Sequence, residues 1–334
     1  MARIAPDAPR AAPPPPPLAF GGDALVWATW LYYGEALTQA DVAQALGVSR
    51  ASVANYLAEA RRRGLVKIDL EPGLLARVAE SRALAARFGL EEALVAPVSK
   101  RESEDPAALR RRLGAAAAHA LAARLSEGMT LGVAWGRTML ELARALPERR
   151  LPSMRVVQVS GSSLGDAESS PEACTALIAG RLGARCQNFH APAVLTSAAT
   201  RDALLAEPTL ARHFERLRAC DMIVLGIGEV NRAVTWADTE FVTEGVVEDY
   251  LTAGAAGILI GRFLDAAGRE IAGPLSGRQI GMELADLAAA SVRVAVAGGS
   301  EKIAAIRAAL AGGHATHLVT DARTARRLLE EDPS

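Results

Sequence analysis

Short runs of Val, Ile and Leu alternate with helical patterns over most of the chain, and this alternation constrains the fold more than any other feature. The apolar runs fall at 93–98, 130–134, 155–160, 222–226, 257–260, 292–297 and 317–320. The helical patterns between them include 74–90, 105–126, 171–183 and 301–311. Apolar strands that alternate with helices are typical of a parallel sheet covered on both faces. The sequence therefore predicts a largely parallel, doubly wound α/β domain over residues 73–334.

A second pattern, three short helices, precedes the α/β region within residues 22–72. In the first helix, Val26, Trp30 and Tyr33 lie near the spacing of one helix face. In the second, Thr38 can cap the N-terminus, and Asp41, three residues later, can complete a capping box. The second helix is therefore expected to begin directly after Thr38.

The turn after the second helix makes the pattern specific. Gly47 is suited to the left-handed residue that ends a helix. Val48 can fill the angle between two helices, and Ser49 can cap a third helix over residues 50–63. This arrangement is typical of a helix-turn-helix. A helical hairpin that contacts only proteins is the alternative interpretation.

Local charge favours DNA as the partner of this module. The whole chain has a formal net charge of −1, but basic residues outnumber acidic ones between residues 38 and 67. On the third helix, Arg50 can pair with guanine and Asn55 with adenine in the major groove of double-stranded DNA. The residues predicted to contact DNA are Thr38, Gln39, Ser49, Arg50, Ala51, Ser52, Asn55, Arg61 and Arg62.

Glycine-containing loops follow four of the predicted strands, at the edge where open α/β sheets bind small molecules. These loops lie at 132–138, 161–165, 226–229 and 298–302. Their backbone N–H groups, hydroxyls and cations can together hold an anion. The candidate ligand-binding residues are Trp135, Gly136, Arg137, Thr138, Gly161, Gly226, Gly228, Glu229 and Lys302.

Lys302 is one of only three lysines among 37 basic residues. Its ammonium group follows a Gly-Gly pair, where it can bind a phosphate or a hydroxyl group. The same side chain could instead lie in solvent or pair with Glu301. The sequence leaves both interpretations open.

Missing patterns argue against several classes of protein, among them the nicotinamide enzymes. Gly226 and Gly228 are not followed by the third glycine of a dinucleotide fingerprint, since Asn231 occupies that position, and no nicotinamide cofactor is predicted. The five histidines lack metal-ligand spacing, and the three cysteines form no C-x-x-C pair. No metal, cofactor or catalytic residue is therefore predicted.

The N-terminal segment 1–21 contains a run of five prolines and is expected to be a disordered tail. No apolar run reaches the length of a bilayer-spanning helix, and the N-terminus lacks the apolar region of a secretory signal. These features predict a cytoplasmic protein that does not bind membranes.

Taken together, the motifs resemble the SorC family of sugar-binding transcriptional regulators, which is related to DeoR. The resemblance extends over nearly all of the chain after residue 22. It depends on segments 37–66, 132–138, 156–161, 225–228, 261–265, 298–302 and 320–321. It implies a C-terminal domain similar to ribose-5-phosphate isomerase and glucosamine-6-phosphate deaminase.

The resemblance also implies a function. Proteins of this family bind operator DNA, usually as tetramers, and regulate carbohydrate or polyol catabolic operons. They sense a sugar, a sugar phosphate or a polyol in the C-terminal domain. By this resemblance, Trp135 to Thr138 and Lys302 would contact the effector, and the protein would form at least a dimer.

One position departs from the family pattern. Where the family usually reads Gly-Asp-Ile, this chain has Gly257, Ile258 and Leu259. The effector is therefore expected to be smaller, less hydroxylated or differently oriented than is usual in the family. The alternative function is that of an enzyme similar to a sugar-phosphate isomerase or deaminase, for which Glu229, near Arg232, is the candidate general acid or base.

Overall fold

A computed structural model of the protein describes residues 16–66, 72–162, 168–230 and 242–330. The contacts of the chain separate it into two compact units, Met1–Glu71 and Pro72–Ser334. Residues 1–15 of the expected tail, and Lys67 at the end of the basic segment, lie outside the described residues. In the part of the chain that is described, no helix is long and apolar enough to cross a membrane.

Three helices form the N-terminal unit after a short 3-10 turn. The turn is Leu18–Phe20, and the helices are α1 (Ala24–Tyr33), α2 (Gln39–Leu46) and α3 (Arg50–Arg62). Apolar side chains from all three helices form one buried cluster, which includes Ala28, Val42, Leu46, Val53 and Leu57. The predicted order of three short helices is thereby confirmed.

The predicted caps of α2 and α3 are also confirmed. The Thr38 hydroxyl accepts a hydrogen bond from the Asp41 N–H at 3.3 Å, and the Asp41 carboxylate accepts one from the Thr38 N–H at 3.2 Å. Gly47 ends α2 with φ of 64°, a left-handed conformation that glycine adopts without steric cost. Ser49 accepts a hydrogen bond from the Ser52 N–H at 3.0 Å and so begins α3.

The buried face of α1 is not the one on which Trp30 and Tyr33 lie. Trp30 and Tyr33 are 52% and 41% exposed, whereas Leu25 and Ala28 are buried. Because α1 carries apolar residues on every side, their spacing does not identify the side that faces the core. The small Ala28 belongs to the buried cluster and Trp27 and Tyr32 pack against it, whereas Trp30 and Tyr33 are exposed.

The C-terminal unit alternates strands and helices. Its strands are β1 (Glu92–Ala96), β2 (Thr130–Val133), β3 (Arg155–Gln158), β4 (Arg185–Gln187), β5 (Met222–Gly228), β6 (Gly257–Leu259), β7 (Arg262–Leu264), β8 (Val292–Val296) and β9 (His317–Asp321). Its helices are α4 (Pro72–Phe88), α5 (Lys100–Glu104), α6 (Pro106–Ala122), α7 (Arg137–Ala145), α8 (Pro171–Leu182), α9 (Ala198–Leu205), α10 (Pro208–Arg218), α11 (Glu244–Thr252), α12 (Leu284–Leu287), α13 (Ile303–Ala311) and α14 (Ala322–Leu329). A 3-10 turn, Ser300–Lys302, directly precedes α13.

Within the described residues, seven strands form one parallel sheet in the order β1-β9-β8-β5-β2-β3-β4. Along β5, Met222 and Val224 belong to one core cluster, and Ile223 and Leu225 belong to another. Because successive side chains of a strand point to opposite faces, the sheet is covered on both faces. The predicted doubly wound α/β architecture is confirmed, and the ends of β2, β5 and β8 lie side by side.

The apolar run at 257–260 predicts a further strand of the parallel sheet, and this prediction is wrong. The run contains β6, which pairs antiparallel with the end of β5 and with β7. The turn residues Ile260 and Gly261 have φ of 47° and 87°. Two consecutive left-handed residues form a tight hairpin turn, which reverses the direction of the chain. A parallel return would have required a long crossover connection. β4 and β7 have three residues each and were too short to give a sequence pattern.

Two helical glycines give opposite predictions for stability. A Cβ atom at Gly114 in α6 would lie 2.6 Å from the backbone of Glu141 and Leu142 in α7, whereas one at Gly180 in α8 meets nothing within 4 Å. In a helix interior, alanine is more favourable than glycine by about 1 kcal/mol. We expect Gly180→Ala to raise the free energy of unfolding by up to about 1 kcal/mol, and Gly114→Ala to lower it by about 1–3 kcal/mol.

Urea denaturation of both variants measures these changes. Gly180→Ala is the matched control, because it makes the same chemical change at an open position. A stability gain for Gly114→Ala would contradict the close approach of α6 to α7.

Candidate functional site

A cavity of about 420 Å³ lies where β2, β5 and β8 end. The loops after these strands line it, together with side chains from α6 and from the β6–β7 hairpin. Eight of the nine candidate ligand-binding residues line the cavity, namely Trp135, Gly136, Arg137, Thr138, Gly226, Gly228, Glu229 and Lys302. The cavity occupies the position at which open α/β sheets bind ligands.

The ninth candidate, Gly161, does not line this cavity. Its N–H donates a hydrogen bond to the carbonyl oxygen of Ile280 at 2.9 Å. A Cβ atom at Gly161 would lie 2.4 Å from the Cα of Ala193. Gly161 therefore allows two backbone segments to approach closely, which gives it a packing role. Residues 163–165 of the same loop lie outside the described residues.

Gly136 shapes the loop between β2 and α7. It has φ of 112°, and its N–H donates a hydrogen bond to the Ser169 carbonyl oxygen at 3.0 Å. Because Gly136 has no side chain, no side chain caps α7 at this position. The first N–H groups of a helix lack partners within the helix and carry partial positive charge. The start of α7, with buried Thr138 and exposed Arg137, is therefore suited to an anion.

Arg110 of α6 supplies a second guanidinium, which was not among the predicted ligand-binding residues. It lines the cavity together with Arg137. Burial lowers the pKa of Arg110, and the positive charge of Arg137 lowers it further. Neighbouring cations repel each other, and an anion between them relieves this repulsion. Arg110 begins a run of three arginines, so only the packing of the helix shows which of them faces the cavity.

Lys302 is held at the cavity by a hydrogen bond to the backbone. Its Nζ donates to the carbonyl oxygen of Ile227 at 2.9 Å, so the side chain does not extend into solvent. Burial lowers the pKa of Lys302, the carboxylates of Glu229 and Glu301 oppose this shift, and the two cavity arginines add to it. An ammonium group has three donors. Lys302 can therefore bind a ligand while it keeps its bond to Ile227.

Asp321 supports the turn that carries Lys302. Its carboxylate accepts hydrogen bonds from the Thr324 N–H at 3.0 Å and from the Thr324 hydroxyl at 2.6 Å. The same hydroxyl oxygen accepts a hydrogen bond from the Gly299 N–H at 2.8 Å. A Cβ atom at Gly298 would lie 2.4 Å from the Asp321 carboxylate. Gly298 is thus required by close packing against Asp321, and Gly299 has a φ of 111° that favours glycine. Lys302 therefore starts from a fixed position.

Two carboxylates share the cavity with these cations. Glu229 is a predicted ligand-binding residue, whereas the sequence suggests Glu301 only as a partner of Lys302, and both carboxylates line the cavity. Arg232, the neighbour expected for Glu229, lies outside the described residues. The described lining thus has three cations and two carboxylates, and its net positive charge favours an anionic ligand. The carboxylates can accept hydrogen bonds from hydroxyl groups on such a ligand.

Most of the residues that are predicted to contact DNA are exposed, as such a contact requires. Gln39 and Ser52 are half-buried. The other residues predicted to contact DNA are exposed, namely Thr38, Ser49, Arg50, Ala51, Asn55, Arg61 and Arg62. Their contacts with DNA stay a prediction.

Glu59 neutralises part of the basic end of α3. Its carboxylate accepts hydrogen bonds from Arg62 Nε at 2.7 Å and from Arg63 Nε at 2.6 Å. The hydrogen bond from Arg62, and next that from Arg63, lower the pKa of Glu59 to about 2. The carboxylate is therefore ionised at neutral pH. Of the three consecutive arginines, Arg61 is the one not bonded to Glu59.

Comparison with known proteins relates both units to regulators. Residues 75–330 match the Sugar-bind family of sugar-binding domains. Over 312 residues the chain is 30% identical to the uncharacterized transcriptional regulator YjhU of Escherichia coli (strain K12), a match that covers 93% of this chain and 95% of YjhU. The structure is similar to the crystal structure of the full-length sorbitol operon regulator SorC from Klebsiella pneumoniae. That match has a TM-score of 0.70 and 27% identity, and it covers 92% of this chain and 98% of SorC.

A helix-turn-helix unit followed by an α/β unit with a ligand cavity defines the class of ligand-sensing transcriptional regulators. The chain belongs to the SorC family of sugar-binding transcriptional regulators, as its motifs indicated. The regulatory function predicted from the sequence is thereby confirmed.

Replacing Glu59 tests the electrostatics of the DNA-binding helix. Glu59→Gln removes the charge that engages Arg62 and Arg63, which become available to phosphates. We expect tighter binding to DNA of any sequence, with the slope of log affinity against log salt steeper by about 1–2. Fluorescence anisotropy with specific and unrelated duplexes at several salt concentrations measures both effects. Glu104→Gln, at an exposed acid of the C-terminal unit, is the matched control, and unchanged or weaker binding by Glu59→Gln would count against this role of Glu59.

Proposed function

We propose that the protein binds operator DNA through α3 and that an anionic carbohydrate derivative in the cavity changes its affinity for that DNA. The observation that carries this proposal is the convergence of three cations from three elements on one cavity. They are Arg110 of α6, Arg137 of α7 and Lys302 of the 3-10 turn. Proteins bind phosphate groups through several charge-assisted hydrogen bonds of this kind. A phosphorylated sugar or polyol is therefore the favoured effector.

The remaining lining suits a carbohydrate. Small-molecule sites typically have volumes of about 300–1,000 Å³, and this cavity has about 420 Å³. Glu229 and Glu301 offer acceptors for hydroxyl groups, and Trp135 offers an apolar face to a carbon ring or chain. The sorbitol operon regulator of Klebsiella pneumoniae and the erythritol catabolism regulatory protein EryD of Brucella abortus are 29% and 28% identical to this chain. By extension, this protein would regulate a carbohydrate or polyol catabolic operon.

In this proposal the cavity senses its ligand without transforming it. Isomerisation or deamination of a sugar phosphate requires an acid or base positioned at the reacting atom, whereas a sensor requires only binding. The relatives named above are regulators. As a regulator of transcription the protein would act on the chromosome in the cytoplasm. Turnover of ribose or glucosamine phosphates by the purified protein would contradict this part of the proposal.

An electrophoretic mobility shift assay tests the proposed function. The purified protein is mixed with DNA from upstream of its own gene, with and without a set of sugar phosphates and polyol phosphates. We expect a specific shift that at least one of these compounds weakens or strengthens. A specific shift that no phosphorylated or neutral carbohydrate alters would contradict effector sensing. The absence of any specific shift on that DNA would contradict the proposed operator.

Base recognition by α3 gives a prediction of its own. We expect Arg50→Ala and Asn55→Ala each to weaken specific binding by about 1–3 kcal/mol, because each removes a contact with a base edge. Arg61→Ala should instead weaken binding to all sequences and reduce the salt slope by about 1, because it removes a phosphate contact. Competition between specific and unrelated duplexes separates the two effects. Wild-type affinity in all three variants would exclude the docking of α3 in the major groove.

Lys302→Ala is expected to abolish the response to a sugar phosphate while DNA binding stays intact. Loss of one charge-assisted hydrogen bond in a partly desolvated site costs roughly 1.5–3 kcal/mol, which is about ten- to a hundredfold in effector affinity. Lys302→Glu should bind still more weakly, and Lys100→Ala, at an exposed lysine, is the matched control. Calorimetric titration of the effector measures these affinities. Loss of DNA binding would show a structural lysine, and an unchanged affinity would show that the anion binds elsewhere.

We further propose that the protein acts as a dimer or a tetramer. One helix-turn-helix reads only a short half-site, so specific binding requires two copies that are spaced by about one helical turn of DNA or a multiple of it. Analytical ultracentrifugation at micromolar concentration should show a dimer or a larger assembly. A monomer, both with and without effector, would be incompatible with this proposal.

A further inference from the structure

The β6–β7 hairpin contributes a part of the cavity wall that has no polar side chain. Its lining residues are Ile258, Ile260 and Gly261. Ile227, at the end of β5 where β6 pairs, extends this apolar wall. Ile258 and Ile260 are only 5% and 9% exposed. The cations and carboxylates of the cavity all come from other elements, so the hairpin wall offers a ligand apolar contact and no side-chain hydrogen bond.

The charged side chain of the hairpin is directed elsewhere. Arg262 donates hydrogen bonds to the Glu270 carboxylate at 2.9 Å, to the Met282 carbonyl oxygen at 3.2 Å and to the Glu283 carboxylate at 3.4 Å. Arg262 is buried in this network and does not line the cavity. These bonds fix the hairpin against the segment around Glu283. The apolar wall is thus held in place by partners outside the cavity.

Ile260 occupies a backbone conformation that disfavours it. Its φ of 47° lies in the left-handed region, where a β-branched residue is a steric outlier. Asn, Asp or Gly is strongly preferred at this position of a tight hairpin turn. Strain of this kind persists where the surroundings fix it, and it concentrates at ligand sites. An isoleucine here supplies the cavity with an apolar side chain that the preferred turn residues would not.

From this wall, and resting on the proposed function, we propose that the effector is a phosphate ester with a deoxy or methyl-bearing carbon segment, which lies against Ile258 and Ile260. A hydroxyl group placed there would lose its hydration without gaining a side-chain partner. A carbon without a hydroxyl group would instead bury apolar surface. The hairpin therefore selects against fully hydroxylated sugar phosphates. Such apolar pockets discriminate against an added hydroxyl group by up to about a hundredfold.

A deoxy scan tests this selection on the full-length protein. Binding of glucose 6-phosphate is compared by calorimetry with that of its 2-, 3- and 4-deoxy analogues, and glucose 1-phosphate is compared with 6-deoxyglucose 1-phosphate. Inorganic phosphate is the reference for the anion alone. We expect at least one deoxy analogue to bind about ten- to a hundredfold more tightly than its parent. If every analogue binds no better than its parent, the selection by the hairpin is refuted, although the proposed function survives.

Two variants show whether the hairpin causes the preference. Ile258→Thr keeps a β-branched residue and adds a hydroxyl group, so the preference for the deoxy analogue should fall to within about threefold of the parent. Ile260→Asn should also lose the preference, while its melting temperature stays the same or rises because Asn tolerates the left-handed conformation. Val246→Thr, which is in the same apolar cluster as Ile258 but outside the cavity lining, is the matched control.

The outcomes distinguish a failure of the role of the hairpin from a failure of the proposed anionic effector. A preference that survives in both hairpin variants would overturn the role of Ile258 and Ile260. Higher stability of Ile260→Asn with an unchanged preference would show that Ile260 is only a turn residue. If neither parents, analogues nor inorganic phosphate bind, the proposed anionic effector fails, and this inference fails with it.

Discussion

The parallel pairing of β5 with β2 and β8 is the constraint on which the ligand cavity depends. Because the three strands run in one direction, the loops that follow them leave the sheet at the same edge. One loop begins α7 with Arg137, the second carries Glu229, and the third carries Lys302. Gly114 lets α6 lie close to α7, which brings Arg110 to the same cavity. A different strand order would separate these groups.

Much of this arrangement could be predicted from the sequence because local rules determine it. The caps at Thr38 and Ser49 depend on neighbouring residues only, and both form as expected. The continuous apolar runs predicted buried parallel strands, because such strands contact helices on both faces. Loops after those strands necessarily share an edge, which is why most of the candidate ligand-binding residues line one cavity.

The remainder depends on tertiary contacts that no local pattern encodes. Arg110 is one of three consecutive arginines, and only the packing of α6 decides that it lines the cavity. Trp30 is exposed because α1 is apolar on every side and a smaller residue faces the core. The apolar run at 257–260 resembled a buried strand, yet the turn at Ile260 sends it into a hairpin. Gly161 follows a strand as the other loop glycines do, but the backbone of Ala193 packs closely against it, and Gly161 does not line the cavity.

The proposed regulatory signal is an anion bound by Arg137 and Lys302 in this cavity. A crystal structure of the protein with an effector that alters its DNA binding tests the claim most directly. We expect the anionic group to lie within about 3 Å of nitrogen atoms of Arg137 and Lys302, with a carbon segment of the effector against Ile258. An effector bound outside the cavity, or one whose anionic group lies away from these cations, would contradict the claim.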